Sequence, residues 1–192
     1  MEQTLIVLKP DTVARGLVGE IISRLERVGI KLVAAKVMQA DKAMLDKHYP
    51  ASRTEFIVGL GNKTIENYQK LGIDLKKDMG TEDALEIGMQ IRQWLVDYMM
   101  SGPVFAMVWE GPHVIEIVRK LCGPTLCLNA APGTIRGDFS YDSSYLANTN
   151  RRPIKNLMHA SGNVEEATYE IPLWFSKNEI HSYERVEEKA MK

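Results

Sequence analysis

Between Asn156 and Asn163 the chain reads N-L-M-H-A-S-G-N, which sets His159 after a bulky Met158 and before the small Ala160 and Ser161. One side of the imidazole is thereby left open. Neutral imidazole is a good nucleophile, and its covalent adducts are easily broken again. If a carboxylate holds one ring N–H, the opposite nitrogen keeps its lone pair free to attack. Glu170 is the expected holder, with Ser161 bridging the two. Phosphorus is a fitting target, because other segments carry groups suited to phosphate oxygens.

Phosphoryl transfer asks mainly for positive charge and positioning around the moving group. Lys9, at the exit of an apolar run, can project a point charge into a crevice. Arg136, in P-G-T-I-R-G-D-F, offers a bidentate guanidinium, and Arg119 offers another on a helix face. Gly133 and Gly137 would let the backbone around Arg136 approach a ligand closely. His48, His113 and His181 lack such company and read as structural or solvated.

Other apparent motifs fail on chemistry. G-L-G-N-K-T at residues 59–64 lacks the Gly that must precede a P-loop Lys, since Asn62 stands there. The same stretch misses the dinucleotide fingerprint because Thr64 takes the place of its last Gly. N-K-T also fits a glycosylation sequon, without any sign of secretion. Cys122 and Cys127, the only cysteines, have no nearby His and suit neither a zinc site nor a disulfide framework.

The elements that would position these groups follow from the apolar pattern. Strands are expected over residues 4–8, 30–38, 104–109 and 170–175, the last carrying Glu170. Asp11 is expected to cap a helix in which Val13, Leu17, Ile21 and Leu25 share a face and which Gly29 ends. Residues 41–49 read as a short helix, and Pro112 opens another in which Val114, Val118 and Leu121 align. The order is that of a β-α-β-β-α-β ferredoxin-like α+β sandwich, an antiparallel four-stranded sheet with helices on one face. Residues 61–93 and 140–152 read as a helical and a loop insertion in one domain spanning 1–192. Residues 64–71 and 83–95 are expected to be helical, and residues 61–93 hold too little apolar content for a second core.

The bulk numbers agree with this. A chain of 192 residues with 45% hydrophobic and 26% charged content fits one globular domain. A formal charge of −1 argues against a nucleic-acid partner. No apolar stretch approaches the roughly 18 residues of a membrane span, and no signal segment opens the chain, so a cytoplasmic setting is expected.

Several segments together resemble the nucleoside diphosphate kinase family. They are L-K-P-D at 8–11, R-G-L-V-G-E-I at 15–21, S-G-P-V at 101–104, M-V-W-E-G at 107–111, P-G-T-I-R-G-D-F at 132–139 and the N-x-x-H of Asn156 and His159. The resemblance runs nearly end to end. It implies an enzyme that moves the γ-phosphate of a nucleoside triphosphate, typically ATP, to a nucleoside diphosphate by a ping-pong route through His159. It also implies Mg²⁺ carried on the nucleotide phosphates and a homo-oligomer, a hexamer first, with tetramer or dimer as alternatives.

By the same resemblance Lys9 touches phosphate and sugar, Asn156 contacts the sugar, and Tyr49 is an active-site tyrosine. Arg119, Thr125 and Arg136 contact phosphate, Ser161 and Glu170 orient the histidine, and Phe56 stacks on the base with Leu60 behind it. Ala160, Ser161 and Gly162 stand where the family usually has Gly, Ser and Asp. The rival reading is a catalytically weak, nucleotide-binding regulatory protein on the same scaffold. Lys9, Arg136, Asn156 and His159 together favour the enzyme.

Overall fold

The computed structural model describes residues 1–186 and 188–191. Strand β1 (Glu2–Leu8) leads into two short helices, α1 (Pro10–Ala14) and α2 (Val18–Arg27), and then strand β2 (Lys31–Met38). Helices α3 (Lys42–His48), α4 (Thr54–Leu71), α5 (Leu75–Met79) and α6 (Ala84–Met100) follow before strand β3 (Val104–Gly111). Helices α7 (Val114–Cys122), α8 (Ile135–Phe139) and α9 (Ser144–Thr149) precede strand β4 (Met158–Ala160), and α10 (Val164–Trp174) packs after it.

The four strands form one sheet in the order β2-β3-β1-β4, with every neighbouring pair antiparallel. This is the ferredoxin-like α+β arrangement. The apolar run of β1 occupies the middle, and Leu5, Ile6, Val7 and Leu8 are all fully buried. Successive strand residues point to opposite faces, so both faces of β1 are covered, not the one face expected from sequence. Helices α7 and α10 both touch β1.

Three local expectations change. The fourth strand is β4, which carries His159, whereas residues 170–175 lie mostly in α10. Asn163 caps that helix by accepting from Glu166 N–H, 2.8 Å, and the helical setting wins over a short apolar run that reads equally well as a strand. Asp11 sits in the first turn of α1 and does not cap it; Pro10 opens that helix, and Asp11 accepts from Leu157 N–H at 3.3 Å instead. The single helix expected after it is broken at Gly16, φ 68°.

Helices α4 and α6 cross very closely. A Cβ built on Gly61 would meet the Ala84 carbonyl oxygen at 1.8 Å, and one on Gly88 would meet that of Ile57 at 2.0 Å. Only glycine permits this approach, which is the physical reason for the Gly61 of the failed P-loop match. Contrary to the expectation of too little apolar content, Tyr68, Met79 and Ile87 build a small apolar cluster of their own, flanked by Ile91 and Trp94.

The 140–152 segment is also ordered. Arg152 holds the buried Asp142 through two bonds, 2.5 and 3.0 Å, while Arg151 reaches Asp78 at 3.6 Å. That last contact ties the 140–152 segment to the 61–93 segment.

Candidate active site

The site is built around a tight reversal just before β4. Leu157 holds a left-handed φ of 72°, and Met158 N–H donates to the Asn156 carbonyl at 2.8 Å, closing a turn of three residues. Such a backbone is strained for a branched side chain and persists only when its surroundings fix it. Here they do: the Leu157 carbonyl accepts from Lys9 N–H, 2.8 Å, and from the Thr12 hydroxyl, 2.5 Å. The reversal presents Asn156 and His159 to one cleft.

His159 pairs across the sheet with Val7 and is partly open. Its Nε2 lies 2.9 Å from Glu170 Oε1 and 3.0 Å from Oε2. Burial pushes the Glu170 carboxyl up, but hydrogen bonds from His159 and Ser161 outweigh it and hold the group below its ordinary value. An ionised carboxylate can only accept, so Nε2 carries the proton and Nδ1 keeps the lone pair. Ser161 does not bridge the pair as expected. It is fully buried and donates to Glu170 Oε2 at 2.7 Å, bracing the carboxylate.

His48 is buried, the structural one of its two expected settings, and it has His159 for company. Its ring meets that of His159 edge to face, centroids 4.6 Å apart, and Trp174 Nε1–H donates to its Nδ1 at 3.3 Å. Burial, then the nearby His159, pushes its pKa down to about 3, so it stays neutral. Gly162 donates its N–H to Glu166 Oε2 at 2.8 Å, so a carboxylate holds this loop.

Lys9 is buried, and its Nζ donates to Asn156 Oδ1 at 2.7 Å. Burial first, then repulsion from Arg136, lowers its pKa to about 8. Arg136 is also buried and spans carbonyls of Asn156, Gly123 and Met158 at 3.0, 2.9 and 2.7 Å. A guanidinium has five N–H donors, so donors remain for a ligand after these bonds. The bare Gly137 makes room for the Ala131 carbonyl, 2.1 Å from a built Cβ, so the close approach expected there is to the chain itself.

Lys9, Tyr49, Phe56, Leu60, Arg119, Thr125, Arg136, Asn156 and His159 all line one cleft of about 340 Å³. Ser161 and Glu170 sit beneath it. Tyr49 and Phe56 run nearly parallel, 11° apart with centroids at 6.5 Å. Burial raises the Tyr49 hydroxyl, keeping it protonated. Thr125 accepts from Asn156 Nδ2 through its carbonyl, 3.0 Å.

Part of the cleft lining was not expected from sequence. Lys63, Thr64 and Asn67 of α4 and Ser144 and Asn148 of α9 also line the cleft. Their only signal was helical spacing: Phe56, Leu60, Lys63 and Asn67 share one face of α4.

The family model for nucleoside diphosphate kinase matches residues 2–60 and 87–180. The chain belongs to the nucleoside diphosphate kinase family. A nucleoside diphosphate kinase of Pyrobaculum aerophilum is 49% identical over 180 residues, covering 94% of this chain and 98% of that relative. The crystal structure of an NDP kinase from the same organism superposes with a TM-score of 0.92 at 48% identity, covering 94% of this chain and 99% of its own. A transition-state mimic of the Borrelia burgdorferi nucleoside-diphosphate kinase, with bound vanadate and ADP, gives 0.77 at 39% identity over 98% and 95% of the two chains. As a family member the chain is a nucleotide-binding phosphotransferase. Residues 61–86 lie outside the family match.

Proposed function

We propose that this nucleoside diphosphate kinase transfers its phosphoryl group through Nδ1 of His159. The observation carrying this reading is the 2.9 Å contact of Nε2 with Glu170, which leaves Nδ1 with the lone pair beside the cleft. Nδ1 attacks the γ-phosphorus of a nucleoside triphosphate; an N–P bond forms, the bond to the β–γ bridging oxygen breaks, and the diphosphate leaves. An oxygen of the acceptor's terminal phosphate then attacks the same phosphorus and breaks the N–P bond.

Arg119, Arg136 and Lys9 supply positive charge to the phosphates, the term that matters most in this chemistry. Thr125 adds a donor, Lys9 and Asn156 hold the sugar, and Tyr49 packs against His48, whose ring in turn meets that of His159. Phe56 and Leu60 give the base a flat apolar seat that suits any base. Glu170 stabilises the positive charge that develops on the ring, as in other oriented histidines.

Mg²⁺ would enter as part of the substrate, carried on the nucleotide phosphates. Glu166 is the sole carboxylate among the described residues lining the cleft, and it already accepts from Gly162. The ion would therefore be held by the nucleotide and not by protein carboxylates. The protein acts in the cytoplasm, in keeping with its two buried free thiols, as one domain that carries both insertions. No helix among the described residues is long and apolar enough to cross a membrane. It assembles as a homo-oligomer, a hexamer by family likeness, for which exposed Leu128 and Tyr141 offer apolar surface.

Initial-rate kinetics test the route. A ping-pong enzyme gives parallel double-reciprocal lines when donor is varied at several fixed acceptor concentrations, whereas a direct-transfer enzyme, which needs both substrates bound at once, gives intersecting lines. Parallel lines support the covalent route, and intersecting lines reject it.

A further inference from the structure

We infer that Thr12 is a positioning residue for phosphoryl transfer: with Asp11 it holds Leu157 in the left-handed turn that presents His159 and Asn156 to the cleft. The inference rests on the covalent route proposed above. A turn of three residues with a positive central φ is rare and strained, and Leu157 puts a bulky side chain there. Such a conformation lasts only where outside bonds over-determine it. This turn is held at its centre and on both flanks. Leu157 N–H donates to Asp11 Oδ2 at 3.3 Å, and its carbonyl accepts from Lys9 N–H at 2.8 Å and from the Thr12 hydroxyl at 2.5 Å. Arg136 donates to the carbonyls on either side, those of Asn156 and Met158, at 3.0 and 2.7 Å.

Lys9 and Arg136 also line the cleft, so replacing either disturbs binding and positioning together. Thr12 separates the two. It is fully buried in α1 and stands outside the cleft lining. A hydroxyl has one proton to donate, and that of Thr12 goes to Leu157. What depends on the bond is the start of β4. That strand has only three residues; Leu157 adjoins the first, Met158, and His159 is the second. A Leu157 that relaxed toward negative φ would swing the peptides on either side, drawing Asn156 and Met158 off Arg136 and shifting the ring of His159. Transfer needs the attacking and leaving atoms roughly in line, and a misplacement of about 1 Å can cost on the order of a hundredfold.

The test is rapid mixing with saturating γ-labelled ATP, reading both the rate constant and the final amount of label on His159. Thr12→Val is close in shape but lacks the donor, and it leaves the carbonyl its bond from Lys9 N–H. It is expected to reach the same final labelling as the intact protein with a rate constant about tenfold lower. Thr12→Ser restores the hydroxyl but loses a buried methyl, so it should melt lower yet react within about twofold of the intact protein. A purely structural role predicts the reverse: rate constants unchanged, and labelling reduced most in the less stable variant. Thr12→Ala, which also removes the hydroxyl, stands in should Thr12→Val not fold, and is expected to be as slow. The inference is overturned if Thr12→Val keeps its rate constant, or if Thr12→Ser is as slow as Thr12→Val. An active intact protein with no label on His159 would reject the covalent route instead, so the two failures are distinguishable.

Discussion

Lys9 Nζ donates to Asn156 Oδ1 across 2.7 Å, joining the exit of the central strand to the turn that precedes the histidine. The bond fixes a cation at the sugar and phosphate end of the cleft, and burial places its pKa near 8. A lysine is charged below its pKa and neutral above it. For the free enzyme, kcat/KM should therefore fall as pH rises through about 8. Lys9→Arg, which stays charged, should lose that alkaline fall even if its absolute rate is lower. A profile flat to about pH 10 would show that the charge of Lys9 is not used.

Glu170→Gln keeps the shape of the side chain but removes the charge that fixes the His159 tautomer. The expected loss is about tenfold to hundredfold in kcat with a smaller change in KM, read from initial rates. A change confined to KM would mean that the carboxylate serves binding and not the ring.

Arg136 has two duties, because its guanidinium ties the carbonyls of Asn156 and Met158 as well as facing the cleft. Arg136→Ala should cost on the order of 2 kcal/mol of transition-state stabilisation, about thirtyfold in kcat/KM. It should also lower the melting temperature, since those carbonyls lose their donor. An effect below twofold on rate would remove Arg136 from the phosphate site.

The helix crossing makes a prediction about stability. Gly88→Ala drives a methyl into the Ile57 carbonyl and should destabilise the protein by about 1–3 kcal/mol. Gly59→Ala, on the same α4 but with nothing within 4 Å, should instead stabilise by roughly 0.5–1 kcal/mol. Thermal melts of the pair check it, and equal effects would contradict the close crossing.

Much of this was legible in the sequence because it is local. The apolar run of β1, the Pro103 and Pro112 punctuation around β3 and the His159 segment all declare themselves within a few residues. Lys9 and Arg136 were read from the same motifs, whereas Tyr49 and Phe56 came from the family resemblance. What stayed hidden depends on contacts far apart in the chain. The three residues of β4 are too few to show a period and become a strand only by pairing with β1. Glu170 reads as strand until Asn163 is seen to cap a helix. Gly61 and Gly88, uninformative alone, are explained by each other's helix.

The most direct test is brief incubation of the protein with γ-labelled ATP, followed by acid and alkali treatment and peptide mapping. The account predicts label on His159, stable in alkali, lost in acid, discharged by added nucleoside diphosphate and absent from His159→Ala, which should be inactive. Continued turnover by that variant, or product accumulating while the His159 peptide stays unlabelled, would contradict it.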